Sequence, residues 1–521
     1  MSRNCAPFSV YTVDVMVRTG CLPIFTWVHR WSKRSVSGRS KHKQVPVMAI
    51  PPPDQICTMD QGQGEETPSP RCLQHCLSPT SLAARLESDD GIDCYGNERE
   101  VLTEQGRFYN NRLLSDVILQ VEGDKFFAHK LVLVRASQVF ERMFTSKQWD
   151  THKEKEIKLV EENMCVAVFP RFLNFLYSCH IKLNIENTLP VLILADKYNV
   201  TDLRTVCLDF ACFYIIPKVQ LKDVFHVWFQ YATKCYHHSL TKSCVQALAS
   251  KMDEIINSLE WEAEWLSLDK DQLVEILNSS CLVVKDEYDL WMAVIKWLTH
   301  QRELKQLGGK EFEGILSHVM ESMRFPMMTP DQLSQAEIHP LVEQHKELFQ
   351  LSFLLAYKYH ALPLSTRART KEFTGRPFLL RNYSSLRWDK RIVIPRLSSV
   401  QKGSEVSVRF STRASSFPAQ TWEWELKVHP KGSTTNLEDF RILLYSNVIL
   451  EQPRAVEYYL ALVNSQQLLH SVSGRKSFSK ARYSSDTEME KKVSVSELFQ
   501  PNSPFVVDDS LLLQICLKPA D

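Results

Sequence analysis

The hydrophobic pattern between Ser115 and Phe144 changes its period partway along the stretch. Apolar and polar residues alternate from Val117 to Val121, which predicts a strand, and the following Gly-Asp pair predicts a turn into a second short strand. From Lys130 the apolar residues are instead three and four positions apart, which is the spacing of a helix. The predicted order is therefore strand, hairpin, strand, helix.

The chain continues with mixed elements up to about residue 215. The run EKEIKLVEE predicts a third strand, and VAVFPRFLNFLYSCHIKLN predicts a helix followed by a short extended segment. The run TLPVLILADKYNVTDLRTVCLDFACFYI predicts two helices, because apolar residues share one face of each. These elements predict an α+β domain over residues 98–215.

Residues 218–350 have only helical periodicity. Segments such as DVFHVWFQYATKC and DEYDLWMAVIKWL place apolar residues three and four apart, and polar turns separate the segments. This pattern predicts an all-α domain of antiparallel helical hairpins. We expect residues 351–380 to be a linker to the next domain.

From about Arg381 the pattern changes to short strands separated by Pro, Gly, Ser and Asn. In the run TWEWELKV, Trp422 and Trp424 lie on one face of a strand, and charged residues lie on the opposite face. The tryptophan face should belong to a core. Residues 381–521 are therefore predicted to form an all-β sandwich.

Residues 1–95 are rich in charge and proline and have little periodicity, so a mostly disordered tail is predicted. The tail includes the apolar run FSVYTVDVMVRTGCLPIFTWV, but Asp14 and Arg18 interrupt it, whereas a signal peptide needs an unbroken apolar core. No other segment has the ~18 uncharged apolar residues that a membrane span requires. We expect a cytoplasmic protein without a membrane span, and a secreted protein is the alternative.

Composition narrows the range of partners. The chain has 521 residues, with 62 Lys and Arg against 61 Asp and Glu, so a net charge of +1 provides no field that would attract nucleic acid. Its 14 cysteines include no CxxC pair, which favours a reducing compartment. N-glycosylation sequons at Asn199, Asn278 and Asn382 leave the compartment open, because such tripeptides also occur by chance.

The chain carries no recognisable catalytic constellation. It has no P-loop, no Rossmann glycines, no kinase motif set, no Gly-x-Ser-x-Gly motif and no paired metal motif. His129 lies alone where the hydrophobic period changes, and a histidine without oriented partners more often has a structural role than a catalytic one. Neither an enzymatic activity nor a cofactor is predicted.

Seven blocks of the α+β region resemble, in order and spacing, a BTB/POZ domain over about residues 108–215, among them FFAHKLVL, FLNFLYS and LILADKYNVTDLRTVC. In that family an aspartate and a histidine-lysine pair link the strand layer to the helices. The resemblance therefore implies a structural role for the matching residues here. The residues of this structural motif are Asp116, His129, Lys130, Ser137 and Phe140.

The other two regions carry resemblances of their own. The helical region, including MRFPMMTPDQL at 323–333, resembles the BACK domain that follows BTB in Kelch-like and related adaptors. The C-terminal region is similar, more distantly, to the TRAF-like sandwich, through WEWELKVHPKG at 422–432 and the closing run before the C-terminus. Under this resemblance Asp508 and Asp509 form the turn before the last strand.

The resemblance implies protein partners. Most BTB domains associate as two-fold dimers through an apolar helix face, so we expect a homodimer. Many BTB-BACK proteins also recruit cullin-3 through a hydrophobic-x-Glu motif. Here Gln148 takes the hydrophobic place and Asp150 the glutamate place, or Trp149 is the anchor if the register shifts by one. A glutamine in an apolar pocket would cost on the order of 1 to 3 kcal/mol.

The leading hypothesis is a non-catalytic BTB-BACK scaffold that dimerises through its BTB domain and binds partner proteins. The alternative is a substrate-recognition adaptor of a cullin-3 RING ubiquitin ligase, in which the sandwich captures the client. Binding to cullin-3 separates the two hypotheses.

Overall fold

The computed structural model describes residues 96–146, 155–415, 420–432, 440–446, 454–478, 485–486 and 493–520. The predicted disordered tail, 1–95, and the residues Gln148, Trp149 and Asp150 lie outside the described residues. The chain divides into two compact units, Met1–Ile215 and Ile216–Asp521.

The first unit combines a small sheet with a set of helices. Strand β1 (Val117–Val121) lies between β2 (Asp124–Ala128), to which it is antiparallel, and β3 (Glu156–Leu159), to which it is parallel. The predicted hairpin and third strand are therefore present. The helices are α1 Glu98–Gly106, α2 Lys130–Ala136, α3 Gln138–Thr145, α4 Asn163–Ser178, α5 Thr188–Lys197 and α6 Thr201–Phe210, followed by the π-helical turn Ala211–Ile215.

The prediction of a single helix from Lys130 is wrong in one respect. Ser137 divides this stretch into two helices, α2 and α3. Ser137 has extended backbone angles, φ −146° and ψ 120°, and it ends one helix and caps the next. Its hydroxyl accepts a hydrogen bond from the Phe140 N–H at 3.2 Å and donates to the Tyr198 carbonyl at 2.5 Å. A serine at this position satisfies a backbone donor of the second helix, which apolar periodicity cannot reveal.

The second unit begins with the predicted helical region. Two of its helices start with a capping box, formed by Asp269 with Gln272 and by Thr329 with Gln332. The helices are α7 Leu221–Asp223, continued by the π-helical turn Val224–Phe229 into α8 Gln230–Lys234, then α9 His238–Ala249, α10 Met252–Asn257, α11 Glu262–Leu266, α12 Lys270–Asn278, α13 Glu287–Lys305, α14 Gly309–Met320, the 3-10 turn Phe325–Met327, α15 Pro330–Glu337, α16 Pro340–Gln344 and α17 Lys346–Ala361.

The helical region is not purely helical. The short strand β4 (Val283–Val284) pairs in parallel with β5 (Asn382–Tyr383), nearly one hundred positions later in the chain. Two residues are too few to show a strand periodicity, so the sequence pattern could not indicate this pairing. The pairing ties the helices to the start of the β region.

The elements of the β region are β6 Asp389–Ile394, the 3-10 turn Leu397–Ser399, β7 Val406–Ser415, β8 Gln420–His429, β9 Arg441–Ser446, β10 Arg454–Val463, β11 Leu468–Phe478, β12 Ser485–Asp486, α19 Val495–Leu498, β13 Val506–Val507 and β14 Ser510–Pro519. Among the residues that the structure describes, these strands form two sheets. One has the strand order β12-β9-β8-β7, and the other has the order β11-β10-β14-β13, with β6 also pairing to β14.

The two sheets pack face to face, as the sequence predicted. Trp422 and Trp424 are buried between them in one core with apolar residues of β9, β10 and β14. Each indole satisfies its N–H inside this core, Trp424 to the Thr412 hydroxyl and Trp422 to the Ser446 hydroxyl, both at 2.8 Å. The core face predicted from TWEWELKV is confirmed.

The turn before the last strand also agrees with expectation. Asp508 and Asp509 have φ of 49° and 56°, and Val507 pairs with Ser510 on either side of them. Two consecutive left-handed residues match the twist of a tight hairpin, and aspartate tolerates this conformation better than most residues.

The predicted linker, 351–380, is structured in this protein. Helix α17 runs on to Ala361, and α18 (Leu364–Arg369) and the 3-10 turns Lys371–Thr374 and Arg376–Phe378 follow. The segment carries buried apolar side chains that form a second core with the outer face of the sheet containing β10 and β14. This core consists of Leu364, Phe373, Phe378, Leu379, Tyr459, Ala461, Val463, Leu468, Leu512 and Cys516. The segment thus forms a third layer over the sandwich.

A buried ion cluster joins the helices to the β region. The Glu287 carboxylate, at the first position of α13, accepts hydrogen bonds from Arg381 Nε at 2.9 Å and from the Tyr383 hydroxyl at 2.7 Å. It also accepts the backbone N–H of Arg324 at 2.9 Å. The side chains of Glu287 and Arg381 are both fully buried.

The charges of the cluster set the pKa of Glu287. Burial alone would raise this pKa, but the positive charges of Arg381 and Arg324, with hydrogen bonds from Arg381 and Tyr383, more than offset burial and hold it below its ordinary value. The Arg381 guanidinium also donates to the carbonyls of Leu277, Ser279 and Ser322. The cluster therefore compensates the buried carboxylate with both charge and hydrogen bonds.

We expect Glu287→Gln to lower the free energy of unfolding at pH 7 by about 3 to 5 kcal/mol, because two buried guanidinium groups lose their counter-charge. Since the folded pKa of Glu287 lies below the unfolded value, its stabilisation is present above about pH 4.3 and is lost as the pH falls through the folded pKa. Urea unfolding between pH 3 and 7 should therefore give a flatter pH profile for the variant.

The matched control is Glu372→Gln, which removes an exposed ion pair with Lys358 at 2.5 Å. Its effect should stay below about 1 kcal/mol. Equal losses in the two variants would contradict the role given to Glu287.

Candidate protein-interaction site

The predicted motif residues of the first unit meet where β2 leads into α2. The Lys130 backbone N–H donates to Asp116 Oδ1 at 2.8 Å, which satisfies a donor in the first turn of α2. Asp116 directly precedes β1, so this bond fixes the start of the helix against the strand layer. The structure brings Asp116, His129 and Lys130 together at this point.

His129 has partners on both ring nitrogens. The Tyr177 hydroxyl lies 3.0 Å from the backbone nitrogen of His129 and 3.0 Å from its Nδ1, and Nε2 lies 2.7 Å from the Leu113 carbonyl oxygen. Because a carbonyl only accepts, Nε2 carries a hydrogen and donates to Leu113. The Tyr177 hydroxyl accepts the His129 N–H and has its own hydrogen for Nδ1. In this arrangement neither ring nitrogen is left for a metal ion or a substrate.

Ser137 and Phe140 belong to a neighbouring part of the same core. The Phe140 ring stacks on Tyr198 with 4.8 Å between centroids, and the Tyr198 hydroxyl donates to Glu161 Oε1 at 2.5 Å. Glu161 Oε2 accepts from Lys197 at 3.0 Å. This network holds α3 against the end of β3 and the end of α5.

Sequence reasoning missed Tyr177, Tyr198 and Glu161. Burial raises the pKa of Tyr177 to about 12, although the hydrogen bond from the His129 backbone opposes the shift. Burial and the neighbouring Glu161 raise the pKa of Tyr198 well above its ordinary value. Both hydroxyls therefore stay protonated as donors. In the sequence, Tyr177 and Tyr198 appear only as tyrosines within apolar runs, and this pattern does not identify their hydrogen-bond partners.

A group of exposed apolar side chains lies beside the same motif. Leu113, Leu114 and Leu131 are 59%, 79% and 82% exposed. The Leu113 carbonyl is held by His129, so Leu113 and Leu114 lie next to the start of α2, which carries Leu131. We call these three residues the BTB apolar surface. Adjacent exposed leucines of this kind are typical of an interaction site.

The three residues of the candidate cullin contact cannot be placed with the others. Helix α3 ends at Thr145, and Gln148, Trp149 and Asp150 follow outside the described residues.

Within the part of the chain that the structure describes, no helix combines the length and the apolar character that crossing a bilayer requires.

Two domain families match the chain. Residues 106–214 match the BTB/POZ domain, and residues 224–337 match the family described as BTB And C-terminal Kelch, or BACK. Both matches agree with the resemblances found in the sequence, and neither indicates a catalytic family. The C-terminal β region lies outside both matches.

Several curated proteins are similar to this chain in sequence. BTB/POZ domain-containing protein 17 of Xenopus laevis is 26% identical over 329 residues, which cover 60% of this chain and 66% of that protein. The human protein of the same name is 28% identical over 291 residues, covering 54% and 55%. Human Kelch-like protein 24 is 27% identical over 308 residues, covering 57% and 47%. This chain thus spans between about half and two thirds of these curated relatives, and it contains a BTB/POZ domain followed by a BACK domain.

Proposed function

We propose that this protein is a non-catalytic interaction scaffold that forms a homodimer through its BTB domain and binds partner proteins through its other domains. The observation that carries the proposal is the BTB apolar surface, in which Leu114 and Leu131 are about four-fifths exposed. Covering each leucine would contribute about 1.5 to 3 kcal/mol. A two-fold dimer would cover the same surface on both copies.

Dimerisation would also serve the scaffold role. Two copies present two C-terminal sandwiches, and a partner with two binding segments would then bind its second sandwich at a raised effective concentration. We propose that the sandwich is TRAF-like. The support is the two-sheet packing around Trp422 and Trp424 and the hairpin turn at Asp508 and Asp509.

We propose a structural role for the motif residues of the BTB domain. The hydrogen bonds of Asp116, His129 and Ser137 all end on backbone groups or on buried side chains of the same domain. Such contacts hold β1, α2 and α3 in place, which is a structural role. Lys130 takes part through its backbone, and Phe140 through its ring.

The second candidate is a substrate adaptor of a cullin-3 ubiquitin ligase. It is favoured by the similarity of this chain to Kelch-like proteins and by its BTB and BACK domains, since the BTB-BACK resemblance implies cullin-3 recruitment in many members. Gln148 at the hydrophobic place of the motif argues against it.

We propose a cytoplasmic location, with secretion as the alternative. No disulfide joins any two of the described residues, and the thiols of Cys165, Cys207 and Cys516 are buried. The amides of two sequon asparagines are used within the fold, since Asn199 donates to Gln138 at 3.0 Å and Asn382 donates to the Cys281 carbonyl at 3.0 Å.

Tyr177→Phe tests the structural role of His129. The change removes the hydroxyl that bonds both the backbone and the ring of His129, so the free energy of unfolding of the first unit should fall by about 1 to 3 kcal/mol. Urea unfolding, with hydrogen exchange of α2 and α4 as the local readout, measures the loss. Tyr214→Phe, on an exposed tyrosine of the same domain, is the control, and a loss of equal size there would contradict the assignment.

Leu131→Asp tests the dimer interface. In the proposed dimer each copy would bury an aspartate in the interface without a counter-charge, so the mass in solution should fall from twice 60.3 kDa toward 60.3 kDa. Light scattering after size exclusion measures this mass. Leu259→Asp, at a leucine that is 86% exposed in the second unit, should leave the mass unchanged. A dimer that persists in Leu131→Asp would place the interface elsewhere.

Binding of the full chain to purified cullin-3 separates the scaffold from the adaptor. For a scaffold we expect no tight binding by the natural chain and a gain of at least about tenfold in Gln148→Met, which supplies an apolar anchor. Asp150→Ala is the loss control. Tight binding by the natural chain that disappears in Asp150→Ala would make the protein an adaptor.

A further inference from the structure

The junction between the BACK helices and the sandwich is built from three kinds of contact. The buried cluster places Glu287 of α13 against Arg381 and Tyr383, which precede the first long strand. The parallel pairing of β4 with β5 extends from the same place. On the surface, Lys242 of α9 bonds both oxygens of Asp508 at 2.6 Å.

We infer that the BACK helices and the sandwich form one cooperative rigid body, locked by Glu287, so that a partner bound by the sandwich is held at a fixed position on the BACK domain. Neighbouring domains in one chain ordinarily meet through modest polar interfaces and move relative to each other. The central contact of this junction is of a different kind, because the side chains of Glu287 and Arg381 are both fully buried.

Glu287 holds the two domains together because the groups that compensate its buried charge come from both the helical region and the β region. Arg324 lies in the helical region and donates its backbone N–H to Glu287, while its guanidinium donates to the Leu379 carbonyl at 2.9 Å. Arg381 and Tyr383 reach Glu287 from the start of the β region. If the sandwich moved away, the carboxylate and the guanidinium groups would stay buried without partners. The alternative is to expose them to water, which would disrupt the packing around them.

The covering segment makes a second connection. Helix α17 ends at Ala361. In the segment that follows, Leu364, Phe373 and Phe378 pack on the outer face of the sheet that contains β10 and β14. Without this segment, Leu512 and Cys516 of β14 would face water. The sandwich therefore takes one of its layers from the chain that leads out of the helical region.

Hydrogen exchange of the full chain tests the inference with the variant Tyr383→Phe, which removes one hydroxyl and keeps the ring. If the two domains open together, exchange should accelerate by the same factor in helix α13 and in strand β14, by roughly 5- to 100-fold. Helix α4 of the BTB domain should keep its rate. Glu287→Gln should accelerate exchange in the same two elements by a larger factor. If that variant does not fold, Tyr383→Phe alone decides the test.

The control is Lys242→Gln, which breaks the exposed contact across the same junction and should change neither rate. Acceleration confined to α13, with β14 unchanged, would overturn the inference, because the sandwich would then keep its fold without the lock. Separate calorimetric transitions for the BACK helices and the sandwich in the natural chain would overturn it as well.

Discussion

Burying a charged carboxylate is costly unless charge and hydrogen bonds compensate it, and in the second unit this constraint falls on Glu287. Its oxygens accept from Arg381, from the Tyr383 hydroxyl and from the Arg324 backbone, all of which must be in place together. These donors come from different parts of the chain, so the helical region and the β region together supply the hydrogen bonds that the buried carboxylate needs. The parallel pairing of β4 with β5 follows from the same juxtaposition.

In the first unit, a polar side chain is held by neutral hydrogen-bonding groups instead of charges. His129, at the change from strand to helix, is held by the Tyr177 hydroxyl and the Leu113 carbonyl, so its ring orients the chain and has no free nitrogen. This arrangement keeps Leu113, Leu114 and Leu131 together on the outside of the domain. Exposed apolar surfaces of this kind are typical of protein–protein interaction sites.

Periodicity and family resemblance together predicted the α+β domain, the helical region and the two-sheet region, because each depends on local patterns. The Trp422 face and the turn at Asp508 could also be predicted. What the pattern could not give were contacts between distant residues, such as Glu287 with Arg381, or the break at Ser137, where a hydroxyl overrides apolar spacing. The segment 351–380 was predicted to be a linker, although its apolar residues cover a sheet, because the strands that they contact come much later in the chain.

We propose that the protein acts as a dimer rather than as a single copy. Native mass spectrometry of the unmodified full chain over a dilution series tests this proposal, because it counts copies without any substitution. We expect a species of twice 60.3 kDa that persists at submicromolar concentration, as for an interface with an apolar centre. A single species of 60.3 kDa at every concentration would contradict it.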